Sequence, residues 1–287
     1  MPGCFRHPGN DQIPRFHARR AEGSGGRDHR RLQRDRAGCG AGLCAGGGAS
    51  HPGCPSNGSP ADRLQETVEA IRSAGGTARS LQTDVTRPAE VTRLVREAVT
   101  AFGRLDILVN NAGLGYFGRL ESMPIDEARH LFEVNVMGTL YGIQAAVPIM
   151  RSQQSGHIIN VASVVGKRAT PGSGVYSATK FAQVGLSESL RLEVADAGIH
   201  VSVICPVSTM TEFFEVAASR SPLKFDPTGP TYTPEQVAEV IVRCARRPRT
   251  EVIVYPPARL MVILNAVSPW LMDRVLATYW KKIRPGL

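Results

Sequence analysis

The sequence has few of the features that secreted or membrane-spanning proteins need. Six of its 287 residues are cysteines, and only Cys205 and Cys244 lie beyond residue 60. Two isolated thiols do not form a disulfide framework, so we expect a reducing compartment, the cytoplasm. The chain has no secretory signal pattern, and no apolar run reaches the roughly 20 residues of a membrane-spanning helix.

Residues 1 to 60 lack the apolar side chains from which a core is built. Only five of them are Ile, Leu, Val, Phe, Trp or Tyr, whereas nine are Arg and thirteen are Gly. They supply +5 of the net charge of +9, so the basic composition says little about the rest of the chain. Such a segment cannot bury enough apolar surface to offset its ordering entropy. We therefore predict that residues 1–58 are disordered and that a folded domain spans residues 59–255.

From residue 59 onward, apolar strands alternate with amphipathic helices. Ser59 and Pro60 are typical of a helix start, and a short strand is predicted to lead to Asp84, with a new helix beginning at Thr86. Further strands are predicted around 107–109, 157–161, 200–204 and 252–255, and further helices around 125–150, 173–197 and 234–246. This alternation indicates an α/β fold with a parallel sheet covered on both faces.

Polar residues follow the predicted strands at regular places. Asn110 to Gly113 follow one buried strand, Asn135 lies in the next helix, and Ser163 closes the next strand. Tyr176 comes thirteen residues after Ser163, and Lys180 shares its helix face. Because carboxyl ends of parallel strands meet at the edge where open α/β sheets bind ligands, we expect these groups to lie together.

Each of these residues also has a plainer interpretation when it is taken alone. A Tyr and a Lys four residues apart are often an ordinary surface pair on a helix. Ser163 is compatible with a simple turn, and Asn135 with a satisfied polar residue inside a helix. Their common order and spacing favour a catalytic site over these alternatives.

The complete set resembles the short-chain dehydrogenase/reductase family, in its short single-domain form. The resemblance implies a Rossmann-like doubly wound parallel sheet, an NAD or NADP cofactor and no metal. It assigns a catalytic tetrad to Asn135, Ser163, Tyr176 and Lys180. It assigns cofactor contacts to Asp84, Val85, Asn111, Ala112, Gly113, Tyr176, Lys180, Pro206 and Thr211.

Two of these assignments have a qualification in the sequence itself. Val207 stands where the family usually has a glycine, directly after the proline of the loop that holds the nicotinamide. The backbone of this loop is therefore expected to differ locally from that of the family. Asp84 is also compatible with a residue that only caps a turn.

The residue types fit the interconversion of a carbonyl and an alcohol by hydride transfer. Hydride addition to a carbonyl carbon leaves negative charge on its oxygen, and a donor must then deliver a proton. We expect Tyr176 to be that donor, Lys180 to lower the pKa of its phenol, and Ser163 to hold the substrate oxygen. The resemblance implies that Asn135 positions a water between Lys180 and solvent.

The glycine-rich turn that the family uses to bind the cofactor pyrophosphate is missing from residues 1–60. Ala21 to Arg36 can, however, be encoded by codons that, translated one base later, give LKGQVVVITGASSGIG. This is the first strand and phosphate loop expected of the family. Our hypothesis is that residues up to about 58 are an out-of-frame translation and that the frame is restored by about residue 59.

As written, the chain then lacks the first strand, the first helix and the second strand of the fold. In the family's sheet these first two strands lie between the third and the fourth. The alternative to an active enzyme is therefore an unstable, cofactor-incompetent or pseudoenzyme form that acts at most as an interaction module.

Two other interpretations of the first segment are less well supported. Cys39, Cys44, His51 and Cys54 do not have the spacing of a common zinc finger or knuckle. The arginine run from Arg27 to Arg36 has no interleaved aromatic residues, so we expect no nucleic-acid partner.

The last third of the chain suggests a substrate and partners. Phe213, Phe214 and Phe225 lie in a segment placed like the family's substrate lid and suggest a small apolar carbonyl or alcohol. Residues 256–287 form a predicted amphipathic extension that packs on the core or on a subunit of a homodimer or homotetramer. Contact of this extension with a membrane surface is the less favoured alternative, and Pro269 and Asp273 argue against a membrane span.

Overall fold

The computed structural model describes residues 60–222 and 230–283. All of them belong to one compact unit that spans Gly40–Leu287. Residues 1–58 lie outside the described residues, and with them the predictions made for that segment: its disorder, its displaced frame, the zinc alternative and the role of the arginine run. Phe225 does so too.

Four strands of the described residues form one parallel sheet in the order β1-β2-β3-β4. They are β1 Ile107–Asn110, β2 Gly156–Val161, β3 Ile199–Cys205 and β4 Glu251–Ile253. Asn110 lies opposite Asn160 and Val161 opposite Ile204, so the strands end at a common edge. The parallel α/β sheet predicted from the sequence is confirmed, and each strand lies within two residues of its predicted position.

The helices alternate with these strands along the chain. They are α1 Pro60–Ser73, α2 Pro88–Phe102, α3 Ile125–Phe132, α4 Gly138–Gln153, α5 Gly174–Glu193, α6 Glu212–Arg220, α7 Pro234–Arg246, α8 Pro256–Val267 and α9 Pro269–Ile283. A π-helical turn, Glu133–Met137, joins α3 to α4. Short 3-10 turns lie at Leu120–Ser122, Val164–Gly166 and Ala195–Ala197.

Both faces of the sheet are covered at strand β2, all of whose residues are buried. Successive side chains of a strand point to opposite faces. On β2, Ile158 packs in a cluster with residues of α2, α4 and α5. Its neighbour Ile159 packs with Cys244 and Val240 of α7 on the other face. This arrangement is the doubly wound architecture that the sequence predicts.

The strand predicted before Asp84 is absent from the described part of the chain, which corrects the sequence-based prediction. A strand needs a hydrogen-bonded neighbour, and β1 is the edge strand of the described sheet. Its Ile107 and Val109 are 41% and 39% exposed. Asp84 instead starts a turn, because its Oδ1 accepts hydrogen bonds from the backbone N and Oγ1 of Thr86, at 2.9 and 2.7 Å. The next helix therefore begins at Pro88 and not at Thr86.

The C-terminal extension forms a hairpin of α8 and α9. Ala258 and Met272 are buried, as expected for a segment that packs on the core. Several large apolar side chains of the same helices are exposed. Packing of the extension on a partner subunit stays a prediction. Within residues 60–222 and 230–283, no helix is both long and apolar enough to cross a membrane.

Candidate active site

Ser163 lies two residues beyond the end of β2 and caps the 3-10 turn that follows. Its Oγ accepts a hydrogen bond from Val165 N and donates one to Pro206 O, both at 3.3 Å. Because Pro206 follows β3, these bonds join the carboxyl ends of two neighbouring strands. Ser163 therefore lies at the predicted edge of the sheet.

Tyr176 lies in the first turn of α5, close to Ser163. Burial raises the pKa of its phenol above the ordinary value, and the hydrogen bond between the Ser163 and Tyr176 side chains only partly opposes this. The direction is opposite to the lowering expected from the sequence. Lys180 Nζ lies 5.7 Å from the centre of the Tyr176 ring and makes its hydrogen bonds elsewhere.

Lys180 is a buried cation at the start of a network of polar side chains. Its Nζ donates hydrogen bonds to Val161 O at 3.0 Å and to Gln183 Oε1 at 2.8 Å. Burial lowers the pKa of Lys180 to about 8. Gln183 Nε2 donates in turn to Thr139 Oγ1 at 2.7 Å, and the Thr139 hydroxyl donates to Asn135 O at 2.8 Å.

Asn135 lies in the π-helical turn, a local irregularity that is frequent at functional sites. Its Oδ1 accepts from Leu114 N at 2.7 Å, and its Nδ2 donates to Leu114 O and Thr179 Oγ1, both at 2.9 Å. The buried amide thus fastens the loop after β1 to α5. These contacts are those of a satisfied polar residue, and the water-positioning role stays a prediction.

The loop after β1 passes directly over Lys180. A Cβ on Gly113 would lie 3.3 Å from Asn135 Oδ1 and 3.5 Å from Lys180 Nζ, so a side chain there would crowd the site. Asn110 has a structural role, because its Nδ2 donates to Asn160 Oδ1 at 2.8 Å inside the sheet. Ala112 packs in one cluster with Val85, which brings two of the predicted cofactor contacts together.

The other predicted cofactor residues lie in turns around this edge. Thr211 caps α6, where its Oγ1 accepts a hydrogen bond from Phe213 N at 3.3 Å. Asp84 lies in its turn with Thr86 and carries an ion pair to Arg87 at 3.5 Å. Val207, the departure from the family pattern, packs against the cluster that contains Ala162 and Val184.

Aromatic side chains line the space next to Tyr176. Its ring centre lies 6.3 Å from that of Phe117 and 5.5 Å from that of Phe213. Phe214 stacks on Phe117 at 6.2 Å. The Phe213 ring also lies against Gly115, where a Cβ would overlap with it. Of the two lid phenylalanines among the described residues, Phe213 therefore packs on Tyr176 directly, and Phe214 packs on Phe117.

Sequence reasoning missed Gln183, Thr139 and Thr179. Gln183 follows Lys180 by three residues and is therefore on the same helix face, a signal that the sequence did contain. The two threonines contact Asn135 or Gln183 across helices, and no spacing along the chain indicates such contacts.

The arrangement fits one end of a dinucleotide. The Lys180 ammonium, the Tyr176 phenol and the backbone of Gly113 lie together at the ligand-binding edge of the sheet. This combination is compatible with a nicotinamide and its ribose. The glycine-rich loop for the pyrophosphate is not among the described residues. Within the described ranges, no group of three or more His, Cys, Asp or Glu could hold a metal ion.

Comparison with known proteins agrees with this architecture. Residues 41–221 match the family model of the short chain dehydrogenases. An uncharacterized oxidoreductase of Staphylococcus saprophyticus is 44% identical over 154 residues, which are 53% of this chain and 61% of that protein. An uncharacterized oxidoreductase of Schizosaccharomyces pombe is 36% identical over 70% of this chain and 91% of its own length.

A solved structure gives the same result for the fold. The short chain dehydrogenase/reductase from Burkholderia phymatum, in complex with NAD, has a TM-score of 0.66 and 29% sequence identity to this chain. The similarity covers 74% of this chain and 83% of that one. The family match, the similar proteins and the parallel sheet agree, and the chain belongs to the short-chain dehydrogenase/reductase family.

Proposed function

We propose that the protein is an NAD- or NADP-dependent oxidoreductase that interconverts a carbonyl and an alcohol by hydride transfer. The observation that carries the proposal is the convergence of Ser163, Tyr176 and Lys180 at the carboxyl edge of the sheet. The family of the chain and the NAD complex of its structural relative support a nicotinamide cofactor.

Tyr176 would supply the proton. The nicotinamide, when bound, supplies or accepts the hydride at the substrate carbon. A phenol, with an ordinary pKa of about 10, is protonated at neutral pH, so Tyr176 would donate its proton to the carbonyl oxygen as negative charge develops there. Burial raises the pKa of Tyr176, so the phenolate that remains needs a stabilising charge. Ser163 would hold that oxygen. Lys180, with a pKa of about 8, is mostly charged at neutral pH and would stabilise the phenolate that remains.

The cofactor would lie along the loops at the carboxyl edge. Lys180 and Gly113 would accommodate the nicotinamide ribose, with Pro206 and Thr211 beside the nicotinamide. The adenine end would contact Asp84 and Val85, next to Asn111 and Ala112.

The substrate would be small and apolar. Phe117 and Phe213 lie beside the Tyr176 ring, and Phe214 packs on Phe117. Aromatic side chains favour apolar groups. A ketoacyl reductase of Nostoc is 29% identical over 74% of this chain, and a carbonyl substrate is consistent with that relative. A homodimer or homotetramer is the proposed assembly, in line with the resemblance to the family.

The second candidate is a form that cannot bind a cofactor. The exposed apolar residues of β1, Ile107 and Val109, favour it, because they are typical of an interior strand with a neighbour on both sides. If residues 21–58 are translated out of frame, that neighbour and the phosphate loop are not encoded in the 287-residue chain. We name the protein translated one base later from Ala21, with the frame restored by residue 59, the frame-corrected chain.

Exchange of Tyr176 for Phe in the frame-corrected chain tests the proposed chemistry. Tyr176→Phe removes the proton donor and keeps the ring, so we expect turnover to fall by roughly 10²–10⁴-fold while the affinity for the cofactor changes little. The measurements are the rate of NAD(P)H oxidation with small apolar ketones and cofactor binding by calorimetry. Tyr232→Phe is the matched control, because its hydroxyl bonds Val254 O at 3.4 Å outside the site. Near-normal turnover of Tyr176→Phe would refute the assignment.

A further inference from the structure

The hairpin of α8 and α9 presents large apolar side chains to solvent. Leu260, Ile263 and Val267 of α8 are 69%, 59% and 79% exposed, and Trp270 of α9 is 61% exposed. The three residues of α8 follow the spacing of one helix face, and Trp270 follows across the short turn between the helices. These four residues are named the apolar face of the hairpin. Large apolar side chains that are exposed together on one helix face mark an interaction site.

The opposite side of the hairpin is fixed to the domain. Met272 of α9 is buried, and Ala258 of α8 packs in the core. Arg168 Nη1 donates to Asn265 Oδ1 at 2.9 Å and also forms an ion pair with Asp273. The apolar face is therefore held outward by a packed and hydrogen-bonded element.

The charged residues in the sequence of the hairpin are mostly basic. Residues 256–283 contain Arg259, Arg274, Lys281 and Lys282 but only one acidic residue, Asp273, which already pairs with Arg168. The Arg274 guanidinium lies 3.9 Å above the Trp270 ring. Tryptophan and long basic side chains next to an apolar helix face are typical of helices that lie in the headgroup region of a membrane.

A second copy of the chain is a poor occupant of this face. A two-fold symmetric contact places the same patch of both copies together. The arginines and lysines of one hairpin would then face those of the other, and like charges across an interface are unfavourable. An anionic lipid surface supplies the opposite charge, which attracts each nearby Lys or Arg.

The hairpin lies on the side of the domain that carries the candidate active site. The Arg119 guanidinium lies 5.9 Å from the centre of the Trp280 ring. Arg119 follows Phe117, which contacts the Tyr176 ring, and Arg168 follows Ser163 by five residues. A membrane under the apolar face would therefore lie near the loops that line the site.

We propose that the hairpin of α8 and α9 docks the protein on an anionic membrane surface, with its apolar face in the headgroup region and the active-site loops close to the lipid. Apolar substrates dissolved in the membrane would then reach the site without crossing water. The docking itself is independent of the proposed catalytic function, because it uses neither the cofactor nor Ser163, Tyr176 or Lys180.

Vesicle flotation of the full 287-residue chain tests the docking. We expect the protein to float with vesicles of phosphatidylcholine and phosphatidylserine, to bind vesicles of phosphatidylcholine alone more weakly, and to be released from the anionic vesicles by salt. The double variant Leu260→Ser/Ile263→Ser should bind at least about tenfold more weakly. Arg259→Gln/Arg274→Gln should lose the preference for anionic lipid.

The matched control is Leu192→Ser. Leu192 is 81% exposed on α5, outside the hairpin, so this variant removes a comparable exposed side chain and should bind vesicles normally. An equal loss of binding in Leu192→Ser, or absence of flotation of the unmodified chain, would overturn the proposal. The proposal would also be overturned if the unmodified chain does not bind vesicles but forms a dimer, and if the substitutions Leu260→Ser/Ile263→Ser dissociate that dimer. This result would assign the apolar face to a second copy of the chain.

Discussion

Gln183 is the residue that connects Lys180 to the rest of the polar network. It is fully buried and makes hydrogen bonds with both Lys180 and Thr139. A buried acceptor favours the charged form of a lysine, because the ammonium has few other partners to replace water. Gln183 is thus a positioning residue for the proposed proton transfer, although it is not placed to touch the substrate itself.

Replacement of Gln183 by Met should lower the pKa of Lys180 below its value of about 8. The substitution keeps the volume of the side chain but removes the acceptor of the 2.8 Å hydrogen bond. An NMR titration of labelled lysine measures this pKa directly, with or without turnover. In an active protein, the alkaline decline of kcat/KM should shift to lower pH.

Gln153→Met is the control for that experiment. Gln153 also makes two hydrogen bonds, which are partly buried, with N and O of Leu105, but it lies at the end of α4 away from Lys180. It should reduce stability without moving the pKa of Lys180. The same pKa in Gln183→Met and in the unmodified protein would contradict the role of Gln183.

His157 gives the protein a pH-dependent stability. Burial and the neighbouring His200 lower the pKa of His157 to about 4, from an ordinary value of 6.5. Between these values the unfolded chain binds more protons than the folded one, so stability is complete above pH 6.5 and falls as the pH drops towards 4. The loss should reach about 3 kcal/mol. Urea unfolding across this range measures it.

His157→Gln should remove most of this pH dependence, since no ionisable group then occupies the site beside Ser202. His130→Gln should keep it, because His130 lies on α3 outside this pair. An equally steep loss of stability in His157→Gln would show that other groups carry the acid sensitivity.

At the scale of residues, the spacing of Ser163, Tyr176 and Lys180 was enough to predict which groups gather at one edge. It was not enough to predict their electrostatics. Spacing suggested that Lys180 lowers the pKa of Tyr176, but burial of the phenol dominates and raises it. Gln183 and Val161 O take the hydrogen bonds of the lysine, and such contacts depend on the packing between elements.

Helix α4 packs against β1 through a glycine. A Cβ on Gly142 would overlap with the Asn110 amide, whose Nδ2 is bonded to Asn160. Gly142→Ala should therefore displace this amide and destabilise the protein by about 1–3 kcal/mol, although alanine is the better helix former. Denaturant unfolding measures the change.

Gly185→Ala is the matched control on α5. A Cβ on Gly185 meets nothing within 4 Å, so the substitution should raise stability by up to about 1 kcal/mol through helix propensity alone. Equal effects of the two substitutions would mean that the close approach of α4 to β1 does not limit stability.

At the scale of elements, apolar periodicity predicted most helices and strands because each of them has a partner in the fold. The prediction of a strand before Asp84 was wrong because this segment has no such partner among the described residues. Its apolar residues were read correctly, but a strand is defined by hydrogen bonds to a neighbour, and none forms there among the described residues. The amphipathic pattern of the C-terminal extension left its apolar side open between a subunit and a membrane surface, because such a pattern does not tell what covers it.

At the scale of the whole molecule, the edge strand of the described sheet, β1, has the sequence of a strand from the interior of a sheet. The sequence of β1, Ile-Leu-Val-Asn, is apolar without alternation, which is typical of a strand buried between parallel neighbours. In the frame-corrected chain, the segment VVVIT would supply an apolar strand and TGASSGIG would supply the phosphate loop. One displaced frame would account for both the exposed edge of β1 and the missing loop.

We therefore predict that the 287-residue chain does not bind NAD(H) or NADP(H) and that the frame-corrected chain binds one of them saturably. The reason is that a pyrophosphate needs the backbone amides of a glycine-rich turn at a helix start, and the sequence of residues 1–60 does not contain the glycine pattern that the family uses there. Calorimetric titration of both chains with each cofactor measures the difference in affinity. In the frame-corrected chain, Lys180→Met should lower the affinity for the cofactor. The nucleotide sequence is the independent check: codons that give no glycine loop in any frame, or ordinary affinity of the 287-residue chain, would exclude the displaced frame.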